Sequence, residues 1–274
     1  MKDFFTIENL KKTKKNSYKI LGDTAIITGG CGRIGSVFTS IFLSYGLKVI
    51  ILSRTNNDYL NYKSSLSAGL KKNITWLKFD LTKPKSIDMV ENWLKKKNMQ
   101  PNYLVNNASY SFRGKFFNYN SKSVNDELWG TFGGSFYFTE KILKMMRKKK
   151  SGNIIFVGSL WGVNSPRFQT YLDMDIGPSP LVSAGKAAML QYAKHLASRE
   201  SEFNIKINSL IPGWFPRKGP VERKDYVDEI KKNIPLNRIG NLQDLVTAVE
   251  YLISSESAYV TGQNIVVDGG YSIY

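Results

Sequence analysis

The stretch Ala25-Ile26-Ile27-Thr28-Gly29-Gly30-Cys31-Gly32-Arg33-Ile34-Gly35, running on into Val37-Phe38-Thr39-Ser40-Ile41-Phe42-Leu43, decides how this chain is read. A short apolar run, a glycine-rich turn and a longer apolar run in that order predict strand, turn and helix. Glycines let the backbone come close to a pyrophosphate, and the free N–H groups of the helix's first turn point at it. A nucleotide or dinucleotide site is therefore expected at Thr28, Gly29, Gly30, Gly32, Arg33, Ile34 and Gly35.

Outward from that turn, composition sets the bounds. The chain has 274 residues and 42% hydrophobic content, ordinary for a globular protein of one α/β domain. No apolar run approaches the ~20 residues that span a bilayer. The start, Met1-Lys2-Asp3-Phe4-Phe5, lacks the apolar core of a signal peptide. Cys31 is the sole cysteine, which excludes an intrachain disulfide and points to a reducing cytoplasm. No cluster of His, Cys or carboxylates has metal-ligand spacing, so no metal is expected.

The formal net charge of +17 raises nucleic acid as a partner. Yet Lys71-Lys72, Lys95-Lys96-Lys97 and Arg147-Lys148-Lys149-Lys150 each close a predicted helix, where cations complement the helix dipole. Only Lys11-Lys12-Thr13-Lys14-Lys15 falls elsewhere, in a basic amino-terminal extension over residues 1–19, ahead of one domain over 20–274. With no nucleic-acid motif beside them, the lysines read as solvated faces.

Strand-like runs occur at Thr24–Thr28, Lys48–Leu52, Thr75–Phe79, Tyr103–Asn106, Asn153–Val157, Lys206–Ile211 and Asn264–Val267. Helical stretches lie between them, near Arg33–Tyr45, Ser86–Lys97, Ser123–Arg147, Ser183–Ser201 and Leu242–Ile253. This alternation predicts right-handed crossovers and one mostly parallel sheet with helices on both faces. Small motifs fall where strands end: Asp80-Leu81, Asn106-Asn107-Ala108-Ser109, Gly158-Ser159 and Pro212-Gly213. In open α/β sheets ligands bind at those ends.

In these motifs the chain resembles the short-chain dehydrogenase/reductases, in their single-domain branch. The resemblance runs from about Ile20 to Tyr271, and its tail is specific: Pro235-Leu236-Asn237-Arg238-Ile239-Gly240, Tyr259-Val260-Thr261-Gly262-Gln263 and Val267-Asp268-Gly269-Gly270. It implies a Rossmann-type, doubly wound, seven-stranded sheet, a nicotinamide cofactor, hydride transfer at a carbonyl or alcohol, and a homodimer or homotetramer. The glycine spacing departs from the branch: Thr-Gly-x-x-Gly-x-x-Gly is usual in the larger, sugar-nucleotide-acting branch.

The cofactor's identity is argued from charge. NAD sites place a carboxylate at the end of the second strand, where it accepts from the ribose hydroxyls. Here that strand ends Leu52-Ser53-Arg54-Thr55, with no carboxylate before Asp58. Arg54 instead suits a 2′-phosphate, and Arg33 reads as a second cation on the same side. NADP(H) is preferred to NAD(H), with Ser53 and Arg54 at its ribose. The resemblance further implies that Asp80 and Leu81 frame the adenine, that Asn107 and Ala108 line the ribose side, and that Pro212 and Gly213 join the cofactor site.

The resemblance implies four catalytic positions: a Tyr-x-x-x-Lys pair, a Ser and an Asn. Ser159 matches the Ser and Lys186 the Lys, but four residues before Lys186 stands Val182, and the Asn position is Thr131. Valine has no proton to give, and general acid–base assistance is worth roughly 10²–10⁴-fold. Between Ser159 and Val182 the chain is longer than the family pattern and contains Tyr171, Asp173 and Asp175. Tyr171 is the candidate substitute phenol, although Asp175 four residues on would raise its pKa if close. Trp161, Trp214 and Phe215 read either as an aromatic substrate pocket or as core. The sole histidine, His195, lies nine residues past Lys186 and is expected at the surface or a subunit interface. Cys31, at a helix N-terminus, carries a slight expectation of an acidic thiol.

Two function classes stay open. The preferred one is an NADP(H)-dependent oxidoreductase acting on a small metabolite, such as a sugar derivative, through an altered proton relay. The other is a cofactor-binding protein of the same fold without reductase chemistry, acting as a regulatory or assembly partner. If Ser159 and Lys186 sit as the resemblance implies, Val182→Tyr is expected to create or raise NADPH-dependent ketone reduction, followed at the cofactor's absorbance. No gain in a variant that still binds NADPH would count against the alignment.

Overall fold

Seven strands among the described residues form one sheet: β1 (Thr24–Thr28), β2 (Lys48–Ser53), β3 (Ile74–Lys78), β4 (Tyr103–Asn106), β5 (Gly152–Val157), β6 (Ile205–Pro212) and β7 (Asn264–Val267). The computed structural model describes residues 4–10, 18–110, 119–171, 179–215 and 224–273. The strand order is β3-β2-β1-β4-β5-β6-β7 and every pairing is parallel. All seven expected strands are present, to within a residue or so at each end.

The central strands are mostly buried because both faces of the sheet are covered, while the edge strands β3 and β7 are partly exposed. Alternate side chains feed two separate cores. Ala25, Ile27, Val49, Ile51, Val105 and Ile155 pack against α2 (Arg33–Ser44) and α10 (Val246–Ile253). Ile26, Ile50, Leu104, Ile154 and Phe156 pack against α5 (Pro84–Lys96), α7 (Gly134–Lys149) and α8 (Pro180–Arg199).

Some elements differ from the sequence reading. The single helix expected near Ser123–Arg147 is α6 (Ser121–Leu128), a π-helical turn over Trp129–Gly133, and then α7. Gly130, Gly133 and Gly134 permit that wider turn beside its neighbours. The helices α3 (Asn57–Ser64) and α9 (Lys224–Lys232) have no counterpart in the expected set, while α4 (Ala68–Lys71) is the short helix that the Lys71-Lys72 pair closes. Basic runs do close helices: Lys71 ends α4, Lys95 and Lys96 end α5, and Arg147 to Lys149 end α7. Part of the presumed extension is docked. Phe5 and Leu10, the latter ending the short helix α1 (Ile7–Leu10), are buried in the core that α2 covers. The lysine run from Lys11 to Lys15 lies outside the described residues.

The sheet order reverses direction between β1 and β4, and a compact hydrogen-bond stitch holds that seam. Thr28 Oγ1 donates to the Val105 carbonyl (3.3 Å) and accepts from the N–H groups of Asn107 and Ala108 (2.9 Å each). Asn107 Nδ2 donates in return to the carbonyls of Thr28 (2.9 Å) and Gly29 (3.1 Å). Thr28→Val keeps the shape but strips acceptors from two part-buried N–H groups. It is expected to destabilise the fold by about 2–4 kcal/mol, read by urea denaturation; a change under about 0.5 kcal/mol would show the stitch to be incidental.

Candidate functional site

The glycine turn hangs from that seam. Gly29 has φ +64°, a left-handed conformation that side chains resist. A Cβ on Gly35 would run into the Gly29 carbonyl oxygen. The helix α2 that follows is capped by Gly32 without any side-chain hydrogen bond, so its first-turn N–H groups keep their donor capacity. Such a cradle, narrow enough that a Cβ would fill it and rich in N–H groups, fits a pyrophosphate.

Above the turn opens a cleft of about 690 Å³ at the carboxyl ends of β1, β2, β4 and β5. That volume lies within the range of small-molecule sites. Of the residues expected to hold a cofactor, Gly29, Gly32, Arg33, Ile34, Ser53, Arg54, Asp80, Leu81, Asn107, Ala108 and Lys186 line it. Thr28, Gly30 and Gly35 lie buried beneath and support it. Arg54 is exposed. Asp80 Oδ1 accepts from the N–H and hydroxyl of Thr82 (3.0 and 2.7 Å), which fixes the loop after β3.

Ser159, Pro212 and Gly213 do not line the main cleft. They line a smaller adjoining pocket of about 280 Å³ with Trp161 and Trp214. Arg33 and Phe215 line both spaces. Arg33 therefore stands at the junction with the Ser159 pocket, and Arg54 does not share that position. The aromatic residues serve in both expected capacities. Trp161 and Trp214 line the small pocket, and they also pack edge-to-face on each other (5.7 Å) and on Tyr271 (6.0 and 6.3 Å).

Lys186 is strongly perturbed in the cleft. It is buried on α8, and its Nζ donates to the Val157 carbonyl at 2.7 Å. Burial without a carboxylate partner pushes its pKa down to about 8. Ser159 Oγ accepts from the Trp161 N–H (3.2 Å), which leaves its own proton to be donated. Val182 is half-buried in the first turn of α8, one turn before Lys186, and lines neither space. The start of α8 is held by Ser179, which accepts from the Leu181 N–H (3.2 Å) and from Tyr119 (3.0 Å) and donates to the buried Glu127 carboxylate (2.8 Å).

Thr131 sits in the π-helical turn, fully buried, against Gly185 of α8. Its hydroxyl donates to the Tyr110 carbonyl (3.2 Å), and the Tyr110 N–H donates to the Gly130 carbonyl (3.0 Å). A Cβ on Gly130 would collide with the Tyr110 side chain, so that glycine makes room for it. Tyr110 in turn lines the main cleft, as do Phe4, Cys31, Asp58 and Phe215. None of these five was a cofactor-site expectation. Tyr110 directly follows the Asn107-Ala108-Ser109 motif, so its position was readable; Phe4 has no comparable signal. The Tyr171 side chain, Asp173 and Asp175 lie outside the described residues.

Two further expectations are settled by burial. Cys31 is buried, and desolvation, aided by Asp58, pushes its thiol up to about 12, so the helix N-terminus does not make it acidic. His195 is exposed on α8. Among the described residues no group of three metal-ligating side chains comes together, and no helix is long and apolar enough to cross a membrane.

Comparison with known proteins agrees with this geometry. A family model described as enoyl-(acyl carrier protein) reductase matches residues 33–272. The chain is 27% identical over 252 residues to the 3-oxoacyl-(acyl-carrier-protein) reductase FabG of Escherichia coli K12, covering 91% of this chain and 97% of that protein. It is 26% identical over 281 residues to the D-arabinitol 2-dehydrogenase (ribulose-forming) of Candida albicans, covering 94% and 95%. A short chain dehydrogenase of Leptospira borgpetersenii serovar Hardjo-bovis with bound NAD+ superposes with a TM-score of 0.81 at 27% identity, over 95% of this chain and 97% of that one.

The buried amine yields a pH prediction. The folded-state pKa of Lys186 is about 8 against an ordinary 10.5, so burying the ammonium opposes folding below about pH 8. That opposition is relieved as pH rises from about 8 toward 10.5, where the unfolded chain binds the extra proton. Wild type is expected to gain stability relative to Lys186→Met across this window, measured by urea midpoints at its two ends. A constant difference would show that the ammonium is not desolvated.

Proposed function

The chain belongs to the short-chain dehydrogenase/reductase family, and from that premise we propose an NADP(H)-dependent oxidoreductase that interconverts a carbonyl and an alcohol on a small hydroxylated metabolite. The observation that carries this reading is Lys186: a lysine buried in the cleft, its pKa lowered, in the pattern of a site under chemical demand. A sugar derivative is the substrate class we favour, supported by the polyol named for the Candida relative. NADP(H) is favoured because Arg54 lines the cleft just past β2, where an NAD site would present a carboxylate. The Leptospira structure binds NAD+, so this preference rests on Arg54.

In this reading the glycine turn and the start of α2 hold the pyrophosphate, Arg54 pairs with the 2′-phosphate, and Asn107 and Ala108 border the ribose. Lys186 binds the nicotinamide ribose. When bound, the nicotinamide supplies or accepts the hydride. Ser159 donates a hydrogen bond to the substrate oxygen and orients it, keeping its proton. The proton that residue 182 cannot give is assigned to Tyr110, the tyrosine among the described residues lining the cleft. During reduction its phenol protonates the new alkoxide and is recharged from solvent. Thr131, at the position of the family's Asn, bonds to the Tyr110 backbone and thereby positions it.

The test is NADPH oxidation with a panel of keto-sugars and simple ketones, alongside calorimetric binding of NADPH and NADH. Turnover by wild type, reduced roughly 10²–10⁴-fold in Tyr110→Phe with NADPH affinity intact, is the expected result. Full activity in Tyr110→Phe would remove that residue from the relay. NADPH binding without turnover of any panel member would favour the cofactor-binding reading. Arg54→Ala is expected to weaken NADPH about 10-fold, the scale of one charge-assisted hydrogen bond, and to leave NADH unchanged. Equal losses for both would contradict the NADP(H) preference.

A further inference from the structure

We infer that the docking of residues 4–10 on α2 carries Phe4 into the wall of the cleft, and that Phe4 is a contact surface for the adenosine half of the dinucleotide. This rests on the reading of the cleft as a dinucleotide site. The segment is received by α2 through a dedicated pair of serines. Ser36 and Ser40, both fully buried, are one turn apart on a helix whose neighbouring positions are Val37, Phe38 and Ile41. The Phe5 N–H donates to Ser36 Oγ (2.8 Å), and Ser40 Oγ donates to the Phe5 carbonyl (3.1 Å). Both backbone groups of one residue are thus met by a polar i, i+4 pair on an otherwise apolar face.

The dock is reinforced on either side. The Phe5 side chain is only 4% exposed. Asn9 Oδ1 accepts from the Thr6 N–H and hydroxyl (2.8 Å each), closing the start of α1. Ser40 also shares a hydrogen with the Tyr62 hydroxyl (2.6 Å), which ties the dock to α3. The Phe4 ring packs on Tyr62 with centroids 5.4 Å apart and lines the cleft.

Its neighbours along the cleft wall locate the contact. Cys31, Arg54 and Asp58 line the same space, and Arg54 and Asp58 belong to the segment that follows β2. That segment is where Rossmann sites meet the adenosine ribose. Phe4 packs on Tyr62 of α3, the helix that also carries Asp58, and its ring offers a face to the adenosine there. The residue that completes the adenosine end thus comes from a segment preceding the nucleotide-binding turn by more than twenty residues.

The experiment is calorimetry on the full chain with four probes: NADPH, ADP, adenosine 2′,5′-bisphosphate and nicotinamide mononucleotide. Phe4→Ala is expected to weaken NADPH and the adenosine probes roughly 10-fold, on the scale of losing one base–aromatic contact, and to leave nicotinamide mononucleotide unchanged. Phe4→Tyr is expected to restore binding. Adenosine-probe affinities equal to wild type in Phe4→Ala would overturn the inference while leaving the dinucleotide reading intact. Equal weakening of the mononucleotide would assign Phe4 a merely structural role and overturn it too. Failure of wild type to bind NADPH or any adenosine probe would remove the dinucleotide reading and this inference with it.

Discussion

One side-chain hydroxyl carries the seam on which the cleft depends. Thr28 Oγ1 uses its proton and both lone pairs: it donates to Val105 and accepts from Asn107 and Ala108. The seam lies where β1 and β4 adjoin and the sheet's connections diverge, so no crossover helix fills the space above it. The gap is useful only if the backbone around it is rigid. Asn107 supplies the second half of that rigidity by bonding the carbonyls that lead into the glycine turn. Everything the site presents at its centre is fixed relative to this stitch.

A second chain of contacts runs from the seam to the chemistry. Tyr110 follows the stitched loop, its backbone is held by Gly130 and Thr131, and Thr131 packs on Gly185 beside Lys186. The π-helical turn, Tyr110 and α8 thereby form one packed unit. Within it, valine at 182 and threonine at 131 do not read as isolated losses. Thr131 and Gly130 bond to the backbone of Tyr110 and make room for its side chain. Lys186 is buried beside this unit and bonded to the Val157 carbonyl, and Ser179 with the buried Glu127 anchors the helix that carries it.

The central strands were legible because they are buried on both faces, and short β-branched runs bounded by turn residues admit few other readings. Helices α2, α5 and α8 were legible for a related reason, since each sets a long apolar stripe against the sheet. By contrast α3 and α4 are short, and of these two only Tyr59 and Tyr62 are fully in the core, with Leu70 packed against its edge. The π-helical turn left no mark because its glycines are equally compatible with a break or a loop. Arg33 shows the limit from another side: it lines the cleft together with Arg54, and its position at the first turn of α2 also brings it to the Ser159 pocket, which spacing alone does not reveal.

By itself the sequence determined the layered sheet, the glycine-rich turn after β1, and a helix that carries Lys186 four residues after Val182. These are local matters, set by periodicity, by the backbone freedom of glycine and by fixed spacing along one helix. Only the tertiary structure decided which side chains meet across the cleft. Phe4 and Tyr110 come to it from segments far apart in the chain, brought there by Ser36 and Ser40 on one side and by Gly130 and Thr131 on the other. Such contacts follow from burial and hydrogen-bond satisfaction in three dimensions, for which linear spacing carries no signal.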